Sequence, residues 1–257
     1  MRIIKDIYTY REFLKTNVKK EMRGRYKKSF LGVLWTFLNP LLQIAVYATV
    51  FPIILRDSPD NFLIFLCVAL IPWTFFTTSV IQSASSMVAN GNIIKKVYFP
   101  REIIPISIIT SGAVNFLIST AIILVFILFS GLGFTWLIVF YPFVLLVQYV
   151  LLLGISFVIS SVTVYLRDLE HLIGVALMMM FYMTPIVYSP EAVPDAFRLV
   201  LNLNPMTHVI TGYRNIFFDQ VMPNFTALGI LLGLSVILCI VGYFIFNKLQ
   251  KRFAEEL

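Results

Sequence analysis

Charge is what this sequence has least of. Asp, Glu, Lys and Arg make up 13% of its 257 residues, and residues 33–55, 62–94, 103–166, 172–190 and 220–247 contain none. A soluble domain carries about a quarter of its residues as charge, so the composition excludes an ordinary soluble class. Cysteine is nearly absent too. Cys67 and Cys239 both fall in uncharged stretches, which excludes a secreted disulfide framework. His171 and His208 stand alone, with no second ligand at metal spacing. No Ser-His-Asp or paired-carboxylate arrangement is apparent, and no G-x-x-x-x-G-K-[ST] loop exists to cradle ATP in the usual way. Proton-coupled carriers keep ionisable groups inside their spans. The uncharged stretches here argue against that coupling, while sodium held by carbonyls and hydroxyls remains open. No repeat, low-complexity tract or separate soluble domain interrupts the chain.

What is present is apolar. Hydrophobic residues make up 59% of the chain. A membrane span needs about 20 mostly apolar residues, and 103–166 holds two spans, turned at Gly131 and Gly133 of "SGLGF". The pattern predicts an all-α integral membrane protein with six transmembrane helices: 33–55, 62–86, 104–129, 135–163, 172–188 and 225–246. Residues 1–31 form a cytoplasmic arm, 189–224 an external segment and 247–257 a tail. Seventeen of the 20 Lys and Arg residues fall in the arm, the 87–102 and 164–171 loops and the tail, leaving Arg56, Arg198 and Arg214 for the other face. Positive charge marks the cytoplasmic side, so both termini are expected there, in a bacterial or archaeal cytoplasmic membrane. The net charge of +7 is this asymmetry and implies no nucleic-acid partner. "MRIIKDIYTY" is too charged for a cleavable signal peptide, which leaves insertion to the first span.

Several segments carry more than insertion requires. Ile3, Ile4, Ile7, Tyr10, Phe13 and Leu14 recur near helical spacing among lysines and arginines, the pattern of an N-terminal amphipathic interfacial helix. It serves orientation and anionic membrane lipid, or is also a lever on a cytosolic partner. Asn39-Pro40 notches the first span. Thr74, Thr78, Gln82 and Ser85 or Ser86 stripe the second span, and Ser107, Ser111, Asn115 and Ser119 stripe the third. Interhelical hydrogen bonding accounts for both stripes; a polar pathway equally accounts for the second. In the 87–102 loop, Ile93, Ile94, Val97 and Tyr98 make a one-sided patch suited to a partner's groove. The 164–171 loop adds Asp168 and Glu170, acids that orientation rules do not explain. Within 189–224, two apolar faces flank an Asn204-Pro205 break. They read as an external re-entrant helical hairpin between spans five and six, a lid or simple packing over the span ends.

Four ordered motifs carry a resemblance: "RGRYKKSFLGVLWTFLNPLL" (23–42), "KKVYFPREIIPIS" (95–107), "VYLRDLEHLIGVALMMMFYMTPIVYSPEAVP" (164–194) and "LNPMTHVITGYRNIFF" (203–218). Together they resemble the ABC-2 type permeases, the transmembrane subunits of O-antigen, capsule and teichoic acid exporters. The resemblance implies a homodimer working with two copies of a separate nucleotide-binding ATPase subunit. The substrate it implies is an undecaprenyl-linked polysaccharide. ATP and magnesium would be held by the ATPase, with no cofactor on this chain. It further implies ATPase docking through Ile93, Ile94, Lys95, Lys96, Val97 and Tyr98, with Arg167, Asp168 and Glu170 nearby. Arg23, Arg25, Tyr26, Lys27 and Lys28 would receive a lipid diphosphate. Phe37, Tyr47, Phe51, Trp73, Phe76, Phe181 and Tyr182 are the channel-lining candidates. Phe197, Pro205, His208, Tyr213 and Arg214 would form the external gate. The alternatives are an ABC-2 exporter of a drug or lipid and, more distantly, an ATP-independent lipid-sugar flippase or intramembrane transferase.

Overall fold

The computed structural model describes residues 9–26, 31–54 and 61–256, and every regular element among them is helical. An amphipathic helix, α1 (Arg11–Tyr26), comes first. Its residues 13, 14, 17, 18, 21 and 22 face inward, and 11, 12, 15, 16, 19, 20, 23 and 24 face out, the i, i+3/i+4 stripe of a surface helix. The long helices follow: α2 (Trp35–Ile54), α3 (Phe62–Ala89), then short α4 (Gly91–Lys96), α5 (Ile103–Ser130) and α6 (Tyr141–Thr163). After them come α7 (Leu169–Met183), α8 (Asp195–Leu203), α9 (Pro205–Phe217), α10 (Phe225–Leu249) and a one-turn helix α11 (Phe253–Glu256). The α5–α6 turn uses Gly131 and Gly133 at φ +79° and +73°, a region open to glycine and costly for other residues.

Among the described residues, five segments are long and apolar enough to cross a membrane: Trp35–Ile53, Phe62–Ala89, Ile103–Ser130, Trp136–Thr163 and Phe225–Arg252. The span expected at 172–188 is a 15-residue helix instead, about 22 Å long at 1.5 Å per residue. It stops because Pro185 disfavours helical geometry in the preceding residue, and Thr184 is extended at φ −108°, ψ 136°. Residues 184–188 then continue without helix.

Helix α3 is the centre of the bundle, packed against α2, α5, α6, α7 and α9. Its Leu66, Cys67, Val68 and Ala69 are fully buried in sequence, which only an all-round neighbour shell permits. Helices α6 and α10 meet backbone to backbone. A Cβ added to Gly242 would lie 2.8 Å from the Gly154 carbonyl oxygen, and one added to Gly154 would lie 2.9 Å from the Cys239 nitrogen. Small residues permit such approach where lipid gives helices no hydrophobic reason to pack.

Hydrogen bonds sort the chain into two ends. At one end Lys20 donates to Asn90 at 3.0 Å, Tyr165 donates to the Leu249 carbonyl at 2.7 Å, and Gln250 donates to Glu102 at 3.0 Å. Arg101 also donates to the Gln250 carbonyl. The α1 helix, the 90–102 segment, the 164–168 turn and the tail therefore share that end. At the other, Gln220 donates to the Leu132 carbonyl at 2.8 Å, joining the glycine turn to the segment after α9. The chain passes between these ends along α3, α5, α6, α7 with 184–188, and α10.

Several polar groups between the helices are paired. Thr110 bonds Tyr149 at 2.9 Å, Thr120 bonds Tyr141 at 2.8 Å, and Ser156 donates to Ser83 at 2.8 Å. These are not the residues of the third span's predicted stripe. Ser107 and Ser111 donate back to their own helix, at the Ile104 and Ile108 carbonyls. The interhelical hydroxyls are two threonines of α5 that meet tyrosines from α6, and a serine pair that joins α6 to α3.

Candidate functional site

Aromatic side chains from three distant segments form one seam. Tyr47 and Phe51 of α2 lie 5.6 Å apart, centroid to centroid, and Tyr47 lies 5.8 Å from Phe181 of α7. Phe181 touches Trp73 of α3 at 5.9 Å and Tyr182 at 5.3 Å, and Trp73 touches Phe76 at 5.5 Å. Most pairs are edge-on or tilted, the arrangements ring quadrupoles favour. The structure thus brings together six of the seven channel candidates, and Phe37 packs elsewhere against the core. Trp73 and Phe76 are buried, Tyr47, Phe51 and Phe181 are half-buried, and Tyr182 is 62% exposed. The seam therefore grades from the bundle interior to an open face. Apolar side chains on that side, Val46 and Val50 of α2 and Val175 and Met179 of α7, have no covering partner among the described residues.

A second aromatic group has a different character. Phe75, Phe116, Tyr213, Tyr141 and Phe217 pack in that order at 5.2 to 5.7 Å, mostly buried. It clamps α9 onto α3, α5 and α6. Gln148, fully buried on α6, completes the clamp. Its Nε2 donates to the Pro72 carbonyl at 2.9 Å, and its Oε1 accepts from the Tyr213 hydroxyl at 3.0 Å. The sequence signal for this bridge was available: Gln148 is the one Gln in the uncharged run 103–166.

The 195–217 segment has the two helices expected around Asn204-Pro205. The Asn204 side chain accepts from the Met206 N–H at 3.0 Å as the N-cap of α9. Its amide also donates to Thr184 at 2.8 Å, tying the hairpin corner to the end of α7. Of the five gate candidates, Phe197 is exposed on α8, Pro205 opens α9, and half-buried His208 bonds the Asn202 carbonyl at 2.8 Å. Tyr213 and Arg214 are core residues. Arg214 is 3% exposed and lies 3.5 Å over the Phe65 ring. It donates to the Ile186 carbonyl at 2.7 Å and the Tyr188 carbonyl at 3.5 Å. The non-helical exit of α7 leaves these carbonyls unsatisfied, and the guanidinium fork supplies them. Burial pushes the Arg214 guanidinium down to about 9, against the pull of Asp219 and Glu191. Burial raises Asp219, with Arg214 opposing.

At the opposite end, the predicted docking patch divides. Ile94 is buried at 4% exposure, whereas Ile93, Val97 and Tyr98 are exposed, Tyr98 at 92%. Ile94 faces the core because α4 must bury one side against the bundle, so the free face holds Ile93, Lys95, Lys96, Val97 and Tyr98. Phe99 turns inward against Phe13 of α1 at 4.9 Å. Arg167, Asp168 and Glu170 are exposed at the α6–α7 turn. Arg101, beside that strip, and Tyr165, beside that turn, both bond to residues 249–250. Arg23 is exposed on α1, and Arg25 and Tyr26 lie in its last turn. Lys27 and Lys28 fall outside the described residues. The described residues hold no group of three His, Cys, Asp or Glu side chains suited to a metal.

The model of the ABC-2 type transporter family matches residues 12–218. The chain is 35% identical over 259 residues to an O-antigen export system permease protein of Myxococcus xanthus, with 100% of both chains covered. It is 37% identical over 242 residues to an O-antigen export system permease protein of Klebsiella pneumoniae, covering 93% of this chain and 92% of the other. A polysialic acid transport protein of Escherichia coli is 25% identical over 245 residues, with the same shares covered.

Proposed function

The chain belongs to the ABC-2 type transporter family, and on that premise we propose that it is the membrane subunit of an ABC transporter exporting a lipid-linked polysaccharide. The observation that carries this reading is likeness over the full length, at 35% identity, to a permease whose name specifies O-antigen export. The geometry supports it. Sugar C–H faces stack on aromatic rings, and a sliding polymer needs repeated weak contacts. The graded seam from Trp73 to Tyr182 offers such contacts, with no charge to arrest the chain. Its open side, on α2 and α7, is where a second copy would complete the conduit. The passes along α2, α3, α5, α6, α7 with 184–188, and α10 are then six crossings. The short α7 is completed by its non-helical exit, where Arg214 and Asn204 bond backbone carbonyls, as non-helical backbone at membrane depth requires.

The end carrying α1, α4, the 164–168 turn and the tail is cytoplasmic in this reading. A separate ATPase docks there on Ile93, Lys95, Lys96, Val97, Tyr98, Arg167, Asp168 and Glu170. It binds ATP and magnesium, for which this sequence has no phosphate loop. Arg23 and Arg25 draw in the anionic lipid carrier, at about 1 kcal/mol per cation near an anionic surface.

Deletion of the chain from its native cell tests this. Surface polysaccharide should vanish while carrier-linked polymer accumulates inside, seen by antibody staining before and after permeabilisation. Undiminished surface polymer would overturn the reading.

A further inference from the structure

A cavity of about 650 Å³ opens at the end that carries α1 and the tail, between α4, the 97–102 segment and the last turns of α10. Lys95, Lys96, Arg101 and Lys251 line it, against one carboxylate, Glu102. Glu102 is engaged by the Gln250 amide, and Arg101 by the Gln250 carbonyl. The three lysines are exposed and have no ion-pair or hydrogen-bond partner among the described residues. Like charges gathered on one concave wall repel one another, and an anion among them relieves that repulsion. The volume falls within the range of small-molecule sites.

Helix α10, which forms one wall, indicates the kind of anion. Ile230, Leu234, Ile237, Val241 and Phe244 recur along it at alternating spacings of four and three, so they share one face. Each is between 47% and 65% exposed. The next two positions of that stripe are Lys248 and, in the turn after α10, Lys251, both exposed. Leu234 to Phe244 spans about 15 Å at 1.5 Å per residue, about half the hydrocarbon thickness of a bilayer. An apolar track one leaflet long therefore ends in cations at the cavity. Snorkelling lysines close many spans. They do not by themselves explain a cavity whose opposite wall brings two more lysines from α4.

A neutral sugar has no use for these charges, and a free nucleotide has none for the track. A phosphate-headed lipid uses both, its chain on the stripe and its headgroup in a basic pocket beside the span. We infer that this cavity holds the headgroup of an anionic phospholipid, phosphatidylglycerol in chemistry, resident in the leaflet on the α1 side. The carrier lipid shares the phosphate and the apolar chain. A transported lipid, however, must reach the aromatic seam of α2, α3 and α7, whereas α10 packs chiefly on α6. The occupant therefore stays in place, wedged between α4 and α10. Val97 and Tyr98 line the same cavity, so the lipid braces the strip on which the ATPase docks. The proposal rests on the membrane reading of the chain and on no particular substrate.

The test counts lipids retained by the purified full chain in detergent, by native mass spectrometry. Dioleoyl phosphatidylglycerol and dioleoyl phosphatidylcholine are added at equal concentration. The chain should retain the phosphatidylglycerol severalfold better, and Lys95→Gln/Lys96→Gln/Lys251→Gln should abolish that preference. Lys251→Gln alone should reduce it, and serves if the triple variant fails to fold. Removing three cations from α1 instead, by Arg11→Gln/Lys15→Gln/Lys19→Gln, should leave it in place. A preference that survives the cavity variants, or is lost equally from the α1 variant, would mean general charge attraction. Displacement by inorganic phosphate would mean a site for free anions, and displacement by undecaprenyl diphosphate a site for the carrier. Equal retention of the two lipids by the unsubstituted chain, with the cavity variant losing only the ATPase, would assign the cavity to an acidic protein surface. Each of these results overturns the proposal. The retention assay needs neither export nor the ATPase, so its failure leaves the deletion phenotype, and with it the transport reading, standing.

Discussion

Replacing Tyr213 and Gln148 separately and together should expose the bond that holds the hairpin helix α9 in the bundle. Tyr213→Phe removes one hydroxyl and leaves the Gln148 Oε1 without its proton, at a residue that is 0% exposed. Gln148→Leu leaves the Tyr213 hydroxyl without an acceptor and also strips the extra bond from the Pro72 carbonyl. An unpaired buried polar group costs about 1–3 kcal/mol, but interhelical hydrogen bonds measured within a membrane couple by only about 0.6–1.7 kcal/mol. The smaller range governs here, because both groups sit among helices that keep other polar partners in reach. The double variant leaves neither orphan, so its loss should be about 1 kcal/mol less than the two single losses combined. At about 2–4 °C per kcal/mol for a chain near this size, the double variant should melt a few degrees above the additive expectation. Thermal midpoints of the purified chain in nanodiscs, read by loss of helical circular dichroism, provide the four corners of the cycle. Strict additivity would refute the bond as an energetic link between α6 and α9.

Two further outcomes follow from the geometry. Gly242→Ala should lower the thermal midpoint by several degrees, because the new methyl meets the Gly154 carbonyl oxygen at 2.8 Å, whereas Gly174→Ala, with nothing within 4 Å, should not; equal midpoints would refute backbone packing of α6 on α10. Ile93→Asp and Tyr98→Ala should reduce co-purification with the ATPase while the chain keeps its midpoint, and Ile94→Asp should lower the midpoint itself, because Ile94 is buried; full ATPase recovery with Ile93→Asp would remove α4 from the docking surface.

Much of the architecture was legible because membrane insertion writes it in one dimension. Uncharged runs gave α2, α3, α5, α6 and α10 to within a few residues, and Asn204-Pro205 gave the hairpin corner. Pro185 carried the stop for α7, but the apolar run to residue 188 masked it. The sites were harder because neighbours across the bundle are set by packing. Seven aromatics were candidates for one lining. Only the fold separates the six in the seam from Phe37, and excludes Phe116 and Tyr213, which clamp α9. Helical spacing placed Ile94 in a patch with Ile93 and Val97, yet α4 buries that residue. Arg214 read as an outer-face charge, since nothing local announces that two carbonyls beyond a proline 29 residues earlier require its fork.

The two hairpin helices are unequal, and this decides which of them can move. Opening α9 away from the bundle would break the Gln148–Tyr213 bond and strip Arg214 from its two carbonyls. It would also bare Met206, Val209, Ile210 and Tyr213, each 0% exposed. At about 1.5–3 kcal/mol per large apolar side chain, that cost approaches the whole stability of an ordinary domain. Helix α8 faces no such cost: Phe197, Leu199 and Leu203 are exposed, and Leu201 is its one buried residue. If the hairpin moves during transport, that movement belongs to α8, hinged at Asn204, with α9 as the fixed frame. A disulfide between Asn202→Cys and His208→Cys joins the two helices where the His208 ring already meets the Asn202 carbonyl. If α8 gates, oxidation should stop export of surface polysaccharide while the complex stays assembled, and reduction should restore it. Undiminished export from a fully cross-linked chain would show that α8 rests on α9 throughout transport, and that the exit opens between whole subunits instead.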